Sequence, residues 1–169
     1  ALASAFTGDV YAAPVEAAGL KGPFRRVHVI DFDGEIEPVL ATYVKTSVDA
    51  ALKEKADCIV LRIYSPGGRV DSSMEIGDHL LKVPEDVATI AWVPKMALSG
   101  AAIVSLACRE IVMGSQAHLG DSQPILGTPG EIIEAGEKIE TVLRALLRGY
   151  AEKNGYPTVL AEAMVSKHI

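Results

Sequence analysis

The sequence lacks the features that mark nucleic-acid-binding, metal-binding and membrane-spanning proteins. It has 22 acidic and 16 basic side chains. The net charge of −6 argues against a nucleic-acid partner, because neutralising phosphates requires a basic surface. No apolar run approaches the roughly 20 residues of a membrane helix. The two cysteines, Cys58 and Cys108, show no spacing typical of a metal site, so we expect buried free thiols, no metal and no cofactor.

Aromatic residues are also scarce, at 5%, but aliphatic residues bring the hydrophobic share to 49% of 169 residues, which is enough for one domain with a sizeable core. Short apolar runs alternate with segments of helical periodicity. The runs predict strands at 27–30, 58–63, 87–93 and 111–113. Helices are predicted to begin near Pro38, at a capping-box pattern over residues 72–75, in the small-residue segment 97–108, and over 139–150. This alternation predicts an α/β fold with a largely parallel sheet flanked by helices.

The two ends of the sequence lack a clear pattern. Residues 1–22 are rich in Ala and Gly, and we expect them to form a flexible leader. The first five residues also fit the remains of a signal-peptide cleavage region. We expect one domain over residues 23–169, truncated at its C-terminal end, because the last residues carry neither a helix cap nor a closing strand.

Two short stretches carry the chemistry. Residues 65–68 (SPGG) form a glycine turn directly after an apolar run, and residues 97–102 (ALSGAA) place Ser99 at the start of a small-residue helix. Acyl-transfer chemistry requires a hydroxyl nucleophile and backbone N–H groups that bind an oxyanion. Gly68 and Gly100 are the candidate donors, because one lies in a glycine turn and the other at a helix N-terminus. The plain alternatives are a simple strand-to-helix turn and a serine that only caps its helix.

These residues, together with 120–126, resemble the ClpP/crotonase fold. More narrowly they resemble the NfeD-type membrane-bound serine proteases, which are partners of stomatin-like proteins and relatives of signal peptide peptidase SppA. The resemblance implies a protease domain over residues 23–169 and a serine–lysine dyad. Ser99 matches the serine, and Lys138, just ahead of the last amphipathic helix, matches the lysine. A lysine acts as a base only when neutral, which burial and a helix N-terminus favour.

Departures from the family pattern leave alternatives open. ClpP carries its histidine directly before a Gln-Pro pair, and here Ser122 stands before that pair. His118, which shares a face of this extended segment with Ser122, and Lys95, which is close to Ser99 in the sequence, are rival candidates for the base. The residues before the serine are small in the family, but Met96 and Leu98 are large. These two residues narrow or alter the substrate groove, or they indicate a degenerate site.

The same resemblance implies a substrate and a location. Gly67 and Arg69 join Met96 and Leu98 as candidate groove residues for an extended, apolar segment of a membrane-associated protein, bound as an added strand. A stomatin-like membrane protein is the implied partner, and a homo-oligomer is the implied assembly. The soluble domain would face the periplasm or exterior, with the membrane reached through other parts of the protein. A crotonase-type acyl-CoA enzyme and a non-catalytic binding or scaffold domain are the alternatives.

Overall fold

A computed structural model describes residues 23–126, 133–134 and 136–166. The predicted leader, residues 1–22, lies outside this part of the chain, as do residues 167–169. Along the described chain the elements are β1 (Val27–Asp33), α1 (Pro38–Lys53), β2 (Cys58–Tyr64), α2 (Val70–Leu80), β3 (Ala88–Val93), β4 (Met96–Leu98), α3 (Gly100–Ala107), β5 (Glu110–Met113), β6 (His118–Gly120), β7 (Ile125–Leu126), β8 (Ile133–Glu134), α4 (Glu137–Asn154) and α5 (Thr158–Ala163).

The main sheet is parallel and has the strand order β1-β2-β3-β5. After each of β1, β2 and β3 a connection that contains a helix carries the chain back to the end of the sheet where the next strand begins, as parallel pairing requires. Strand β4 leaves this sheet and pairs in parallel with β6, and β7 pairs antiparallel with β8. The predicted α/β fold with a largely parallel sheet is confirmed.

The core lies between one face of the main sheet and the helices. Alternate residues of β1 and β2 are buried in one apolar cluster with residues of α1, α2, α3 and α4. Each such side chain stabilises the fold by about 1.5–3 kcal/mol. The largest fully buried side chains include Phe32, Ile59, Leu61, Ile63, Ile76, Ile103 and Leu147. This packing fixes the ends of β2 and the start of α3, where the two chemical motifs lie.

The start of α2 differs from the prediction. The helix begins at Val70 with Arg69 at its N-cap position, and no side chain caps it. The predicted capping box over residues 72–75 is therefore wrong. The reason is tertiary, because the Arg69 N–H donates to the carbonyl oxygen of Ile36 at 2.9 Å and fixes the helix start earlier in the chain. Ser73, inside the helix, donates its hydroxyl to the carbonyl of Arg69 at 2.7 Å.

The amphipathic helix predicted over residues 139–150 is confirmed and extends over Glu137–Asn154. It ends at Gly155, whose φ of 75° is typical of a glycine that terminates a helix. It buries Leu143 and Leu147, whereas Val142, next to Leu143, is 60% exposed. The periodicity therefore predicted the helix correctly. However, the first turns of the helix leave apolar side chains exposed to solvent.

Both cysteines are buried free thiols, as predicted. Burial raises the pKa of the Cys108 thiol to about 12 and also raises the pKa of Cys58. We expect neither thiol to react with iodoacetamide at about pH 8 in the folded protein, because the thiolate is the nucleophile. Mass spectrometry after labelling should find two modified cysteines only when denaturant is present, and rapid native labelling would contradict the burial.

Candidate active site

Ser99 occupies a strained turn between β4 and α3. Its φ of 52° and ψ of −123° are uncommon for a residue with a side chain. Two hydrogen bonds hold this conformation: the Ser99 N–H donates to the carbonyl of Gly120 at 2.8 Å, and the Ser122 hydroxyl donates to the Ser99 carbonyl at 3.2 Å. Ser99 stands at the N-cap position but makes no side-chain cap hydrogen bond. The interpretation of Ser99 as a helix cap alone is therefore not supported.

The glycine turn lies directly against this serine. Gly67 has a φ of 99°, and a Cβ atom placed on it would lie 2.5 Å from the Cβ of Ser99. Gly68, with a φ of 153°, leaves no room for a Cβ beside the backbone of Ile36. The turn is anchored from both sides, because the Ile36 N–H donates to the Gly67 carbonyl at 2.7 Å and the Gly67 N–H donates to the Ser65 hydroxyl at 3.1 Å. Glycine is thus required here for close approach of the backbone to Ser99.

The two predicted oxyanion donors flank the serine. Gly100 is the first residue of α3, where an N–H group has no intrahelical acceptor. Among the described residues, neither the Gly68 N–H nor the Gly100 N–H has a hydrogen-bond acceptor. The positive end of the α3 dipole adds to the attraction for a developing negative charge near Ser99. The arrangement can therefore stabilise an oxyanion beside the serine hydroxyl.

A cavity of about 530 Å³ opens beside Ser99. It brings together residues from four separate stretches of the chain: Glu35, Pro66, Gly67, Gly68, Arg69, Ser99, Asp121 and Gln123. The predicted residues Gly67, Gly68, Arg69 and Ser99 thus meet in one place. Met96 and Leu98 do not line this cavity and lie in strand β4, so their place in a substrate groove stays a prediction.

Lys138 is the second residue of α4, and its side chain is exposed. It does not line the cavity at Ser99 as the described residues form it. The chain that leads to it includes residues 127–132 and 135, which lie outside the described part. Its approach to Ser99 therefore stays a prediction.

The rival bases lie elsewhere. The Lys95 ammonium stands 5.9 Å from the centre of the Tyr64 ring and lines a different cavity with Asp31 and Trp92. His118 is exposed on β6, and it too does not line the cavity at Ser99. Ser122, which stands where ClpP carries histidine, is buried with its hydroxyl on the Ser99 carbonyl.

Sequence reasoning missed Glu35 and gave Asp121 no role in the cavity. Glu35 lies in the loop between β1 and α1, more than sixty positions before Ser99, so no local pattern connects the two. The backbone of Asp121 has a φ of 51°. The sequence signal that could have predicted a tight turn here is the pair Gly120-Asp121, because glycine and aspartate both favour turns.

No group of three or more His, Cys, Asp or Glu residues in the described ranges could hold a metal ion.

The sequence model of one protein family, described as "NfeD1b, N-terminal domain", matches residues 26–169. The chain belongs to this family. It is 27% identical over 146 residues to the membrane-bound protease PH1510 of Pyrococcus horikoshii, covering 85% of this chain and 33% of that protein. It is 29% identical over 149 residues to the membrane protein NfeD1b of Bacillus subtilis, covering 88% of this chain and 33% of that protein. The chain therefore spans about a third of these relatives.

Solved structures of one relative share the fold. Two structures of the membrane-bound stomatin-specific protease 1510-N match with a TM-score of 0.78 and 26% identity over 85% of this chain. One is a serine-to-alanine variant, of which 71% is covered, and the other is a lysine-to-alanine variant in complex with a substrate peptide, of which 67% is covered. The resemblance to the NfeD-type proteases and the ClpP-like fold are confirmed. The relatives are named as membrane proteins, and no helix in the described part of this chain is long and apolar enough to cross a membrane.

Proposed function

We propose that this chain is the catalytic domain of a serine endopeptidase that uses Ser99 as nucleophile and Lys138 as base. The observation that carries the proposal is the strained Ser99, whose hydroxyl has no hydrogen-bond partner among the described residues and faces a cavity beside two N–H groups without acceptors. Strained backbone at a nucleophile is a common mark of a functional site. A serine with a purely structural role would engage its hydroxyl, as Ser73 and Ser105 do.

In the proposed mechanism, neutral Lys138 takes the proton of the Ser99 hydroxyl while the oxygen attacks the scissile carbonyl. The N–H groups of Gly68 and Gly100 hold the oxyanion of the tetrahedral intermediate. The amine leaves with the proton that Lys138 returns, and an ester to Ser99 remains. A water molecule, deprotonated by Lys138, then hydrolyses this ester and restores the free serine.

The assignment of Lys138 rests on the family resemblance and on the solved relative, whose lysine-to-alanine variant was solved in complex with a substrate peptide. In the single chain the Lys138 side chain is exposed, whereas a neutral amine requires removal from water. We infer that bound peptide or a second copy of the domain covers it. Apolar side chains on the same helix, Ile139 at 40% and Val142 at 60% exposure, are available for such a contact.

The proposed substrate is an extended, apolar segment of a membrane-associated protein, and a stomatin-like protein is the proposed partner. The relative 1510-N is named as stomatin-specific and binds a substrate peptide. The proposed setting is the periplasmic or exterior face of a membrane, with the domain over residues 23–169 in a homo-oligomer.

The alternative function as an acyl-CoA enzyme is disfavoured, because Glu35 and Asp121 at the cavity would repel the phosphates of coenzyme A.

Replacing Lys138 with alanine tests the proposed base. We expect cleavage of an apolar peptide to fall by at least about 10²-fold, the usual contribution of a general base. Lys138→Arg should be equally inactive, because arginine keeps its charge and does not accept a proton. Fragments are quantified by mass spectrometry against the wild type.

Lys153→Ala is the matched control, because Lys153 is an exposed lysine in the last turn of the same helix. This variant should cleave at the wild-type rate. Full activity in Lys138→Ala would exclude the dyad. Peptide binding without cleavage in the wild type would favour the scaffold alternative.

A further inference from the structure

We propose that Asp121 and Glu35 give the cavity at Ser99 a preference for substrates with a basic side chain next to the scissile bond. This inference rests on the proposed peptidase function and adds one basic side chain, next to the scissile bond, to the otherwise apolar substrate segment. Ser99 and Gly68 both line this cavity. In the described part of the chain, the Ser99 hydroxyl and the Gly68 N–H have no hydrogen-bond partner, so both are available to a bound peptide carbonyl. The two carboxylates stand in the lining of that same cavity.

The charge of the lining is unbalanced. Among the described residues of the lining, the basic one is Arg69, which donates two hydrogen bonds to Asp71, from Nε at 3.0 Å and from Nη2 at 2.5 Å. The guanidinium also holds the pKa of Asp71 below its usual range, so both groups stay ionised and their opposite charges cancel. In the described ranges, Glu35 and Asp121 have no cationic partner. A bound peptide thus meets two negative charges that no described residue of the lining compensates.

Asp121 is held at a fixed place relative to the nucleophile. Its two neighbours in sequence both bond the backbone of Ser99: the Gly120 carbonyl accepts from the Ser99 N–H, and the Ser122 hydroxyl donates to the Ser99 carbonyl. The Ser122 N–H in turn donates to the Met164 carbonyl at 2.7 Å, which anchors this segment to the end of α5. The backbone of Asp121 is thereby fixed beside Ser99, so its carboxylate can act on the side chain that enters next to the reacting carbonyl.

The expected preference is moderate, because both carboxylates are exposed to solvent. Two exposed ion pairs correspond to a ratio of about 2- to 30-fold in kcat/KM between a basic and a neutral side chain. An acidic side chain at the same position should be disfavoured by a similar factor. The ratio of kcat/KM values should fall as the salt concentration rises, because dissolved ions screen exposed charges. The screening (Debye) length is about 10 Å at 0.1 M ionic strength.

The experiment uses three peptides that differ only in lysine, leucine or glutamate at one position, placed in turn on each side of the cleaved bond. The wild type should cleave them in the order lysine, leucine, glutamate. In the double variant Glu35→Gln and Asp121→Asn the ratios should fall to about one. Asparagine suits the positive φ of residue 121 as well as aspartate does, so the turn is preserved. Glu85→Gln, a carboxylate that lines a different cavity, should keep the wild-type ratios.

Each result separates this inference from the proposed function. Equal cleavage of the three peptides by the wild type would overturn the charge preference and leave the peptidase intact. An equal loss for all three in Asp121→Asn would also overturn it, because Asp121 would then act on the reaction rather than on the side chain. Should nothing be cleaved, the peptidase proposal fails, and fluorescence anisotropy with the same labelled peptides tests the preference as binding. Equal affinities for the three peptides in this binding measurement would overturn the charge preference.

Discussion

Replacing Ser99 with alanine is expected to abolish peptide cleavage, with a loss of at least about 10³-fold in kcat. Among the described residues, no hydroxyl beside Ser99 is left without a hydrogen bond and free to substitute for it. Those of Ser73 and Ser122 donate to backbone carbonyls, and that of Ser65 accepts the Gly67 N–H. The measurement is the rate of fragment formation from an apolar peptide, followed by mass spectrometry. Retained cleavage in Ser99→Ala would remove the serine mechanism altogether.

A loss of activity in this variant must be separated from a loss of fold. The Ser99 hydroxyl makes no hydrogen bond to a described residue, so the thermal midpoint of Ser99→Ala should stay close to that of the wild type. Ser115→Ala is a suitable control, because Ser115 is exposed between β5 and β6. It should keep both the stability and the cleavage rate of the wild type.

Gly67→Ala is expected to damage stability and activity together. The new Cβ would lie 2.5 Å from the Cβ of Ser99 and 2.7 Å from the carbonyl oxygen of Leu98, so the backbone must shift. Overpacking of this kind costs about 1–3 kcal/mol, and the positive φ of 99° adds about 1–2 kcal/mol. A displacement of Ser99 by about 1 Å should lower kcat/KM by roughly 10²-fold.

Gly34→Ala separates conformational strain from steric overlap. Gly34 has a φ of 87°, close to that of Gly67, but a Cβ placed on it meets nothing within 4 Å. We expect this variant to lose only the strain contribution in its free energy of unfolding, measured by urea denaturation. A Gly67→Ala variant as stable and active as Gly34→Ala would show that the contact with Ser99 is not required.

Several elements of the fold were predictable because their signals are local. Pro38 at the first position of α1, the apolar run of β2 and the periodicity of α4 all appear in the structure. Local patterns failed where tertiary contacts decided the outcome. The segment 97–108 was predicted as one helix, but its first residues form strand β4, because Met96 pairs with His118 of β6 and Ala97 bridges to Ser65.

The sequence by itself determined the α/β class, the glycine turn and the serine at the start of α3, because strand propensity, glycine conformation and helix propensity act over a few neighbouring residues. Only the tertiary structure decided that Gly67 touches Ser99 across 32 positions, and that Glu35 and Asp121 share their cavity. Parallel strand pairing is the physical reason. It brings together the C-terminal ends of β1 and β2, and those of β4 and β6, and the bridge between Ser65 and Ala97 joins the two pairs. Residues that are far apart in the sequence therefore meet at one site.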